Sequence, residues 1–293
     1  MTMPAHTPTP SSNSSATTMD LYCVMGNPVE HSKSPWIHTR FAQLTGQALH
    51  YSKRLIALDG FATGLIDFMR EGGRGCNITV PFKFEAAALA TQTSARAQLA
   101  RACNVLSFEK QGILADNTDG IGLVQDIQHN AGLDLSGRHL LLIGAGGAAA
   151  GVLGPLIQAR PASITVANRT LAKALDLVAR HQPLAHLNGT ALHAQDLQGF
   201  DRSFDVLINA SASSLSGAEV PVSARTLKPG ALAYDMMYGP AAQGFMTWAQ
   251  EHGAVGRDGL GMLVEQAAEA FLIWRGVRPP SQQVLAELRA SIN

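Results

Sequence analysis

A glycine-rich turn near the middle of the chain limits the possible folds more than any other part of the sequence. Residues 138–143 end in four apolar side chains, Gly144-Ala145-Gly146-Gly147 follows, and an alanine-rich run comes next. Residues 163–167 predict a second strand, and residues 171–180 predict a second helix. This order of strand, helix and strand is a βαβ unit, which indicates a parallel sheet.

The turn itself favours a phosphate-bearing ligand. Gly144, Gly146 and Ala149 match the pattern G-x-G-x-x-A at the end of a buried strand. Backbone N–H groups and a helix N-terminus can approach a pyrophosphate there, because glycine has no side chain to intervene. Small residues also occur where a helix packs tightly on a strand, which is the alternative for the turn taken alone. With the whole βαβ unit in place, we expect dinucleotide binding.

The residues after the second strand indicate which dinucleotide is bound. An NAD site places Asp or Glu about 20 residues after the glycines, where the carboxylate holds the ribose 2′-hydroxyl. Asn168-Arg169-Thr170 stands there instead, and Lys173 follows one turn along the helix. Planar donors on Arg169 could clamp a 2′-phosphate, so the pattern favours NADP. Solvated side chains at a helix start are the alternative, more so for Lys173 than for Arg169.

Length and composition exclude several classes of protein. The chain has 293 residues, about two domains at ~150 residues each. Its 22 Lys and Arg balance its 22 Asp and Glu, which argues against nucleic acid or a membrane surface as partner. No apolar run approaches the ~18 residues of a membrane span. The three cysteines form no CxxC pair and suit a reducing, cytoplasmic location.

Residues 1–19, rich in Thr, Ser and Pro, predict a disordered tail without a secretory signal.

The sequence ahead of the βαβ unit also alternates strands with helices, so the predicted fold class is α/β. A helix after Ser34 is expected to have Ser34 as its N-cap, Pro35 at its first helical position and Gly46 as its stop. The domain junction is placed near Asp119. Strands are predicted at residues 21–25, 49–58, 76–80, 103–108, 112–115, 205–209 and 231–235, and further helices after Gly60 and over residues 83–90, 119–129, 241–252 and 261–275.

Polar side chains follow two strands of the first unit. Ser32 and Ser34 lie in the loop before the first helix, where their hydroxyls could hold a small carboxylate. Helix capping by Ser34 and an ordinary loop position for Ser32 are the alternatives. The two-residue period of the third strand places Asn77 and Thr79 on one face, and Lys83 follows at the strand end.

A partner for Lys83 is available in the turn over residues 115–120, which carries two carboxylates and an amide. Asp119 paired with Lys83 would keep the ammonium charged and directed into a cleft between the two units. From there Lys83 could give a proton to an alkoxide formed by hydride delivery. A solvated lysine and a capping aspartate are the alternatives.

Together these motifs resemble those of the shikimate dehydrogenase family. In chain order they are GNPVEHSKSP, NITVPFK, the ACN that ends at Asn104, DNTDG, GAGGAA, NRT, INAS, YDMMY and DGLGMLVEQAA. They cover almost everything from Leu21 to about Arg275. The resemblance implies an oxidoreductase that acts on a CH–OH group. Its reaction would be the NADPH-dependent reduction of 3-dehydroshikimate to shikimate, in the biosynthesis of chorismate and the aromatic amino acids.

The resemblance also implies the roles of individual residues. Lys83 and Asp119 would be catalytic. The substrate carboxylate would be held by Ser32, Ser34 and Tyr238, and the ring hydroxyls by Thr79, Asn104, Asp119 and Gln266. NADP would be bound by Gly144, Ala145, Gly146, Gly147, Ala148, Asn168, Arg169, Thr170, Lys173, Met236 and Gly259. No metal is implied. Gln266 could otherwise be a helix-flank residue, and Met236 could be core filler.

The family's organisation implies two domains. A substrate-binding domain over residues 20–118 would be completed by helices over 260–293, and a Rossmann-type NADP-binding domain would occupy residues 119–259. The partners implied are the small-molecule substrate and cofactor, in a monomer or a homodimer. Ser211 in INAS, where many relatives carry Thr, and the N-terminal tail depart from the family's pattern. Neither departure touches the expected chemistry.

Two other functions remain open from the sequence. A quinate/shikimate dehydrogenase that uses NAD is the first, although Ser34 favours shikimate over quinate and Arg169 favours NADP over NAD. A catalytically silent dinucleotide-binding homologue with a regulatory role is the second. Retention of both Lys83 and Asp119 argues against that second function.

Overall fold

The computed structural model describes residues 19–211, 213–214 and 219–292. These residues form two six-stranded sheets with helices packed against them, which confirms the predicted α/β class. The predicted disordered tail lies outside the described residues except for Met19, which is exposed. Over the described ranges, no helix is both long and apolar enough to cross a membrane.

The first sheet is mixed in direction. Its strands are β1 (Asp20–Gly26), β2 (Leu49–Leu55), β3 (Gly73–Ile78), β4 (Gln92–Thr93), β5 (Val105–Glu109) and β6 (Gly112–Asp116), in the order β2-β1-β3-β5-β6-β4. Its helices are α1 (Ser34–Thr45), α2 (Phe61–Arg70), α3 (Lys83–Leu89) and α4 (Ala95–Ala100). The predicted β5–β6 pair is confirmed as an antiparallel hairpin whose last pair joins Glu109 to Gly112.

The second sheet is wholly parallel and follows the helix α5 (Asp119–Gln125). Its strands are β7 (His139–Ile143), β8 (Ser163–Ala167), β9 (Ala191–Gln195), β10 (Phe204–Asn209), β11 (Leu227–Asp235) and β12 (Val255–Arg257). The order β12-β11-β10-β7-β8-β9 reverses between β7 and β10, and dinucleotide-binding sheets carry their ligand at this switch point. Helices α6 (Gly147–Gln158), α7 (Leu171–Asn188) and α8 (Gln243–Glu251) accompany it.

The last two helices, α9 (Leu260–Arg275) and α10 (Ser281–Ile292), return to the first sheet. Phe271 of α9 packs with Ile37 and Phe41 of α1 in one buried apolar cluster. On its other side α9 crosses α5 at Gly122, where a Cβ would lie only 2.8 Å from the carbonyl oxygen of Met262. The crossing is therefore close, and it places α9 between the two sheets.

The prediction that Ser34 is the N-cap of the first helix is wrong. Helix α1 begins at Ser34 itself, so Pro35 is its second residue rather than its first, and Lys33 occupies the cap position without a side-chain cap bond. The backbone N–H of Ser34 donates to Ser32 Oγ at 3.3 Å, so the preceding serine satisfies it. The predicted stop is confirmed, because Gly46 has φ 65°, a left-handed conformation that favours glycine.

Other predicted boundaries also differ from the structure. Helix α7 continues past residue 180 to Asn188, through Pro183, because Leu177, His181 and Ala185 extend its buried face. The helix predicted over 119–129 is α-helical only to Gln125. The next five residues, Asp126–Asn130, form a π turn. Strand β2 ends at residue 55, three residues before the predicted end at 58. Strand β3 covers residues 73–78 rather than the predicted 76–80, because the pairing of β3 with β1 begins before the apolar run.

Candidate active site

The centre of the site is an ion pair between the first residues of two helices. Lys83 begins α3 and Asp119 begins α5, and Lys83 Nζ donates to Asp119 Oδ2. The side chain of Lys83 is 19% exposed and that of Asp119 is 8% exposed. The pair is thus largely shielded from water, although part of the Lys83 side chain stays exposed.

The side-chain amide of Asn104 connects two further side chains, those of Gln266 and Thr118, to Asp119 of this pair. Its Nδ2 lies 2.8 Å from Asp119 Oδ1, 3.0 Å from Gln266 Oε1 and 3.0 Å from Thr118 Oγ1. Gln266 Nε2 in turn donates to the carbonyl oxygen of Leu263 at 2.8 Å. An amide nitrogen has only two protons, so the three acceptor oxygens share them. The common donor fixes the positions of Asp119, Gln266 and Thr118 relative to one another.

The turn that carries Asp119 is held by buried amides. Asn104 Oδ1 accepts the backbone N–H of Thr118 at 2.8 Å, and Asn117 Oδ1 accepts that of Asp119 at 3.1 Å. Asn117 also donates to the carbonyl oxygen of Ala102 at 3.0 Å. These bonds satisfy polar groups away from water, so the orientation of Asp119 is defined by its own loop before any ligand binds.

An ion pair between Arg96 and Asp116 stabilises the start of the same turn. Arg96 donates to the two oxygens of Asp116 at 2.6 and 2.8 Å, and Ser94 Oγ donates to it at 2.5 Å. Burial by itself raises the pKa of Asp116. The hydrogen bonds from Arg96 and Ser94 outweigh burial and hold the pKa below its ordinary value. The carboxylate therefore stays ionised at neutral pH.

The other four residues predicted to bind the substrate are Ser32, Ser34, Thr79 and Tyr238. Ser32 Oγ and Ser34 Oγ are 3.2 Å apart at the start of α1. Thr79 follows β3 and packs its methyl group against Gly26. Tyr238 lies at the edge of the apolar cluster around α1 and α9, where burial raises the pKa of its phenol and keeps it a proton donor. In the described part of the chain, no hydrogen bond joins these residues to Lys83.

The glycine turn between β7 and α6 has the shape of a phosphate cradle. Gly144 adopts φ 111°, and a Cβ there would lie 3.0 Å from the carbonyl oxygen of Ala210. At Gly146 a Cβ would meet nothing within 4 Å, so the backbone borders open space at the start of a twelve-residue helix. Ala145 lies in the same turn, and Gly147 and Ala148 are the first two residues of α6.

The residues after β8 present positive charge to solvent. Asn168 Nδ2 donates to the carbonyl oxygen of Thr170 at 2.9 Å and so closes the turn. Arg169 and Lys173 are both exposed, and neither forms an ion pair with a residue that the structure describes. Their charges are therefore free to meet a phosphate.

The turn after β11 packs against Gly259, the residue that precedes α9. The N–H of Gly259 donates to the carbonyl oxygen of Met237 at 2.8 Å, and its Cα packs against the carbonyl of Met236. Asp235 accepts the N–H of Met237 at 2.9 Å. Burial raises the pKa of Asp235, against the opposing hydrogen bonds from Ser214 and Met237. Asp235 thus anchors the turn that carries Met236 and Tyr238.

Sequence reasoning missed several residues that build the site. Thr118 shares the amide of Asn104, and Asn117, Asp116 and Arg96 position the turn. The motif DNTDG contains three of them, but a polar turn does not reveal which side chain faces the cleft. Arg96 carries no local signal, because its partner is 20 residues away. Within the described ranges, no cluster of His, Cys, Asp or Glu could hold a metal ion.

Comparison with known proteins identifies the family. Residues 24–106 match the shikimate dehydrogenase substrate binding domain, 125–225 match shikimate / quinate 5-dehydrogenase, and 259–289 match the shikimate 5′-dehydrogenase C-terminal domain. The shikimate dehydrogenase (NADP(+)) of Acidovorax sp. (strain JS42) is 67% identical over 273 residues, 93% of this chain and 97% of that protein. The chain belongs to the shikimate dehydrogenase family. The resemblance inferred from the motifs is confirmed.

Solved structures of similar proteins support the same conclusion. An Ael1 enzyme from Pseudomonas putida is 45% identical with a TM-score of 0.83, over 92% of this chain and 98% of that one. A shikimate 5-dehydrogenase from Thermus thermophilus, in complex with NADP(H) and shikimate, is 28% identical with a TM-score of 0.81. That similarity covers 93% of this chain and 100% of the other. The similarity to shikimate dehydrogenases therefore extends over the length of the fold.

Proposed function

We propose that this member of the shikimate dehydrogenase family catalyses the reversible, NADPH-dependent reduction of 3-dehydroshikimate to shikimate. The observation that carries the proposal is the cluster of Lys83, Asp119, Asn104 and Gln266. Four separate parts of the chain bring these side chains into one hydrogen-bonded group. The curated relatives named shikimate dehydrogenase (NADP(+)) support the same substrate and cofactor.

The proposed substrate is a small ring with one carboxylate and several hydroxyls. Ser32, Ser34 and Tyr238 would donate hydrogen bonds to the carboxylate. Thr79, Asn104, Asp119 and Gln266 would pair with the ring oxygens. A site that pairs each substrate hydroxyl leaves its own buried polar groups unsatisfied when an analogue lacks one, which gives specificity.

In the proposed mechanism Lys83 is the proton donor. The cofactor supplies a hydride to the substrate carbonyl when it is bound. Lys83 Nζ gives a proton to the oxygen that becomes the alkoxide, and in the reverse direction it accepts that proton. Asp119 holds the ammonium in place through their ion pair, and the amide of Asn104 holds Asp119 from the other side.

The cofactor would lie across the second sheet. Residues 144–148 would hold its pyrophosphate, Asn168, Arg169, Thr170 and Lys173 its 2′-phosphate, and Met236 and Gly259 would lie near its nicotinamide. The open space at Gly146 and the exposed positive charges after β8 support this arrangement. The absence of a carboxylate at residues 168–170 supports NADP over NAD.

The domain organisation belongs to the proposal. The substrate-binding domain would comprise residues 20–118 and 260–293, and the NADP-binding domain residues 119–259. Packing of Phe271 on α9 against Ile37 and Phe41 on α1 supports assigning the C-terminal helices to the first of these. The proposed location is the cytoplasm, with small molecules rather than nucleic acid or membrane as partners. The protein would be a monomer or a homodimer.

A steady-state assay of the purified protein with shikimate or quinate, each against NADP⁺ or NAD⁺, tests the proposal. We expect the kcat/KM for shikimate with NADP⁺ to exceed the other three values. A higher value for quinate with NAD⁺ would assign the protein to the quinate-using relatives. Activity in none of the four pairings would indicate a silent, regulatory homologue.

A further inference from the structure

Two phenylalanines flank Lys83, and they face opposite ways. Phe82 is only 2% exposed and stacks on Phe61, with ring centroids 5.0 Å apart. Phe84 is 54% exposed and is the second residue of α3, the helix that begins at Lys83. Single exposed apolar side chains are common on protein surfaces. Phe84 is different because it lies next to Lys83, the proposed proton donor, so a ligand bound beside Lys83 could cover its ring.

The ring of Phe84 reaches across the cleft to the glycine turn. A Cβ built on Gly147 would lie 3.4 Å from both Cε2 and Cζ of Phe84, which is van der Waals contact. Phe84 belongs to the first sheet's helix α3, whereas Gly147 begins α6 under the second sheet. The neighbouring Gly146 borders open space. The ring thus lies at the edge of the cradle that would hold a pyrophosphate.

We propose that Phe84 is a cofactor-binding residue contributed from the substrate side of the cleft. Its ring would pack on the part of the cofactor that NADP(H) and NAD(H) share, between the pyrophosphate and the nicotinamide. The inference rests on the proposed function. It adds a contact that lies outside the glycine turn and the 2′-phosphate site.

Phe84 leaves apolar surface in contact with water. About half of this side chain is solvated in the structure, and a ligand lying along the glycine turn would cover it. Burying apolar surface favours binding in proportion to the area removed from water. Because Lys83 and Phe84 are consecutive, the turn of α3 that carries the proton donor would also contact the cofactor. Cofactor binding would then help to hold Lys83 at the cleft.

The experiment measures dissociation constants by titration calorimetry, without substrate and without turnover. The ligands are NADP⁺ and adenosine 2′,5′-bisphosphate, a fragment that has the 2′-phosphate but lacks the nicotinamide half. The variants are Phe84→Ala and Phe84→Leu. Leu89→Ala is the matched control, because Leu89 is a partly exposed apolar residue at the other end of α3.

For Phe84→Ala we expect the Kd of NADP⁺ to rise about 10-fold, and for Phe84→Leu about 3-fold, since leucine keeps part of the apolar surface. The Kd of the fragment, and both constants in the Leu89→Ala control, should stay within about 2-fold of the parent protein. An unchanged Kd of NADP⁺ in Phe84→Ala would overturn the inference. Equal weakening of the fragment would also overturn it, because it would mean a general disturbance of the cleft. A parent protein that binds no NADP⁺ would contradict the proposed function itself.

Discussion

At the scale of single residues, the proposed chemistry depends on charges that are paired but still reach the cleft. Lys83 is held by Asp119, and Asp119 is held in turn by the amide of Asn104. The positive charges proposed for the 2′-phosphate, Arg169 and Lys173, are by contrast exposed and unpaired among the described residues. The two sets of residues therefore lead to different kinetic predictions.

Lys83→Ala removes the proposed proton donor and leaves the carboxylate of Asp119 without its partner. We expect kcat to fall by ~10²–10⁴, with a smaller effect on the KM for shikimate, because the lost contribution acts in the transition state. Steady-state kinetics measures both quantities. Lys110→Ala, at an exposed lysine in the β5–β6 turn, is the control and should retain the parent kcat. Near-normal turnover of Lys83→Ala would refute the role given to Lys83.

Arg169→Ala separates the two cofactors. We expect the KM for NADPH to rise by about 10-fold or more, because a charge-assisted bond to the 2′-phosphate is lost. The KM for NADH, which has no 2′-phosphate, should change little. Arg202→Ala, at an exposed arginine in the same half of the chain, is the control. Equal changes for both cofactors would remove Arg169 from the 2′-phosphate site.

At the scale of elements, the position of Gln266 depends on how closely α5 and α9 cross. A Cβ on Gly122 would lie 2.7 Å from the backbone nitrogen of Gln266 and 2.8 Å from the carbonyl oxygen of Met262. Backbone atoms cannot move aside as the end of a flexible side chain can. Gly122 therefore sets the distance between the two helices. That distance in turn determines whether the side chain of Gln266 can form its hydrogen bond with Asn104.

Gly122→Ala should force α9 away from α5. We expect the free energy of unfolding to fall by about 1–3 kcal/mol, as in other overpacked sites, and the KM for shikimate to rise as Gln266 is displaced. Urea unfolding and steady-state kinetics measure the two effects. Gly244→Ala is the control, since a Cβ there meets nothing within 4 Å in helix α8. Parent stability and parent KM in Gly122→Ala would show that the crossing tolerates a wider separation.

At the scale of the whole molecule, an aromatic core joins α1, β2 and α9. His38 is fully buried there and stacks on Tyr51, with ring centroids 4.3 Å apart. Burial lowers the pKa of His38 from 6.5 to about 3, and it lowers that of His181 to about 4. Both histidines are therefore neutral in the folded protein at pH 7.

These shifts predict loss of stability in mild acid. Between pH 6.5 and about 3 the unfolded chain binds a proton at His38 that the folded protein does not, so stability falls as the pH falls. The slope due to His38 should approach about 1.4 kcal/mol per pH unit. In His38→Phe this contribution should disappear and that of His181 remain. Urea unfolding from pH 7 to 4 measures the slopes, and a comparison at pH 8 isolates the packing effect. Identical slopes for the two proteins would contradict the prediction.

Several local elements and the order of the motifs can be predicted from the sequence alone. The glycine turn after residues 138–143, the stop at Gly46 and the β5–β6 hairpin follow from backbone preferences within a few residues. The missing carboxylate after β8 likewise favours NADP without any knowledge of the fold. The motifs that resemble the shikimate dehydrogenase family could be recognised for the same reason, since each is a short continuous stretch.

Which side chains come into contact depends on tertiary packing. Asn104 and Gln266 are 162 residues apart, and the close crossing of α5 and α9 brings them within 3.0 Å. The extension of α7 through Pro183 and the contact of Phe84 with the glycine turn also depend on packing between distant elements. Local preferences are weak compared with the burial of a shared apolar face, which tertiary contacts determine. The residues of the site can therefore be recognised in the sequence, but their contacts with one another depend on how distant elements pack.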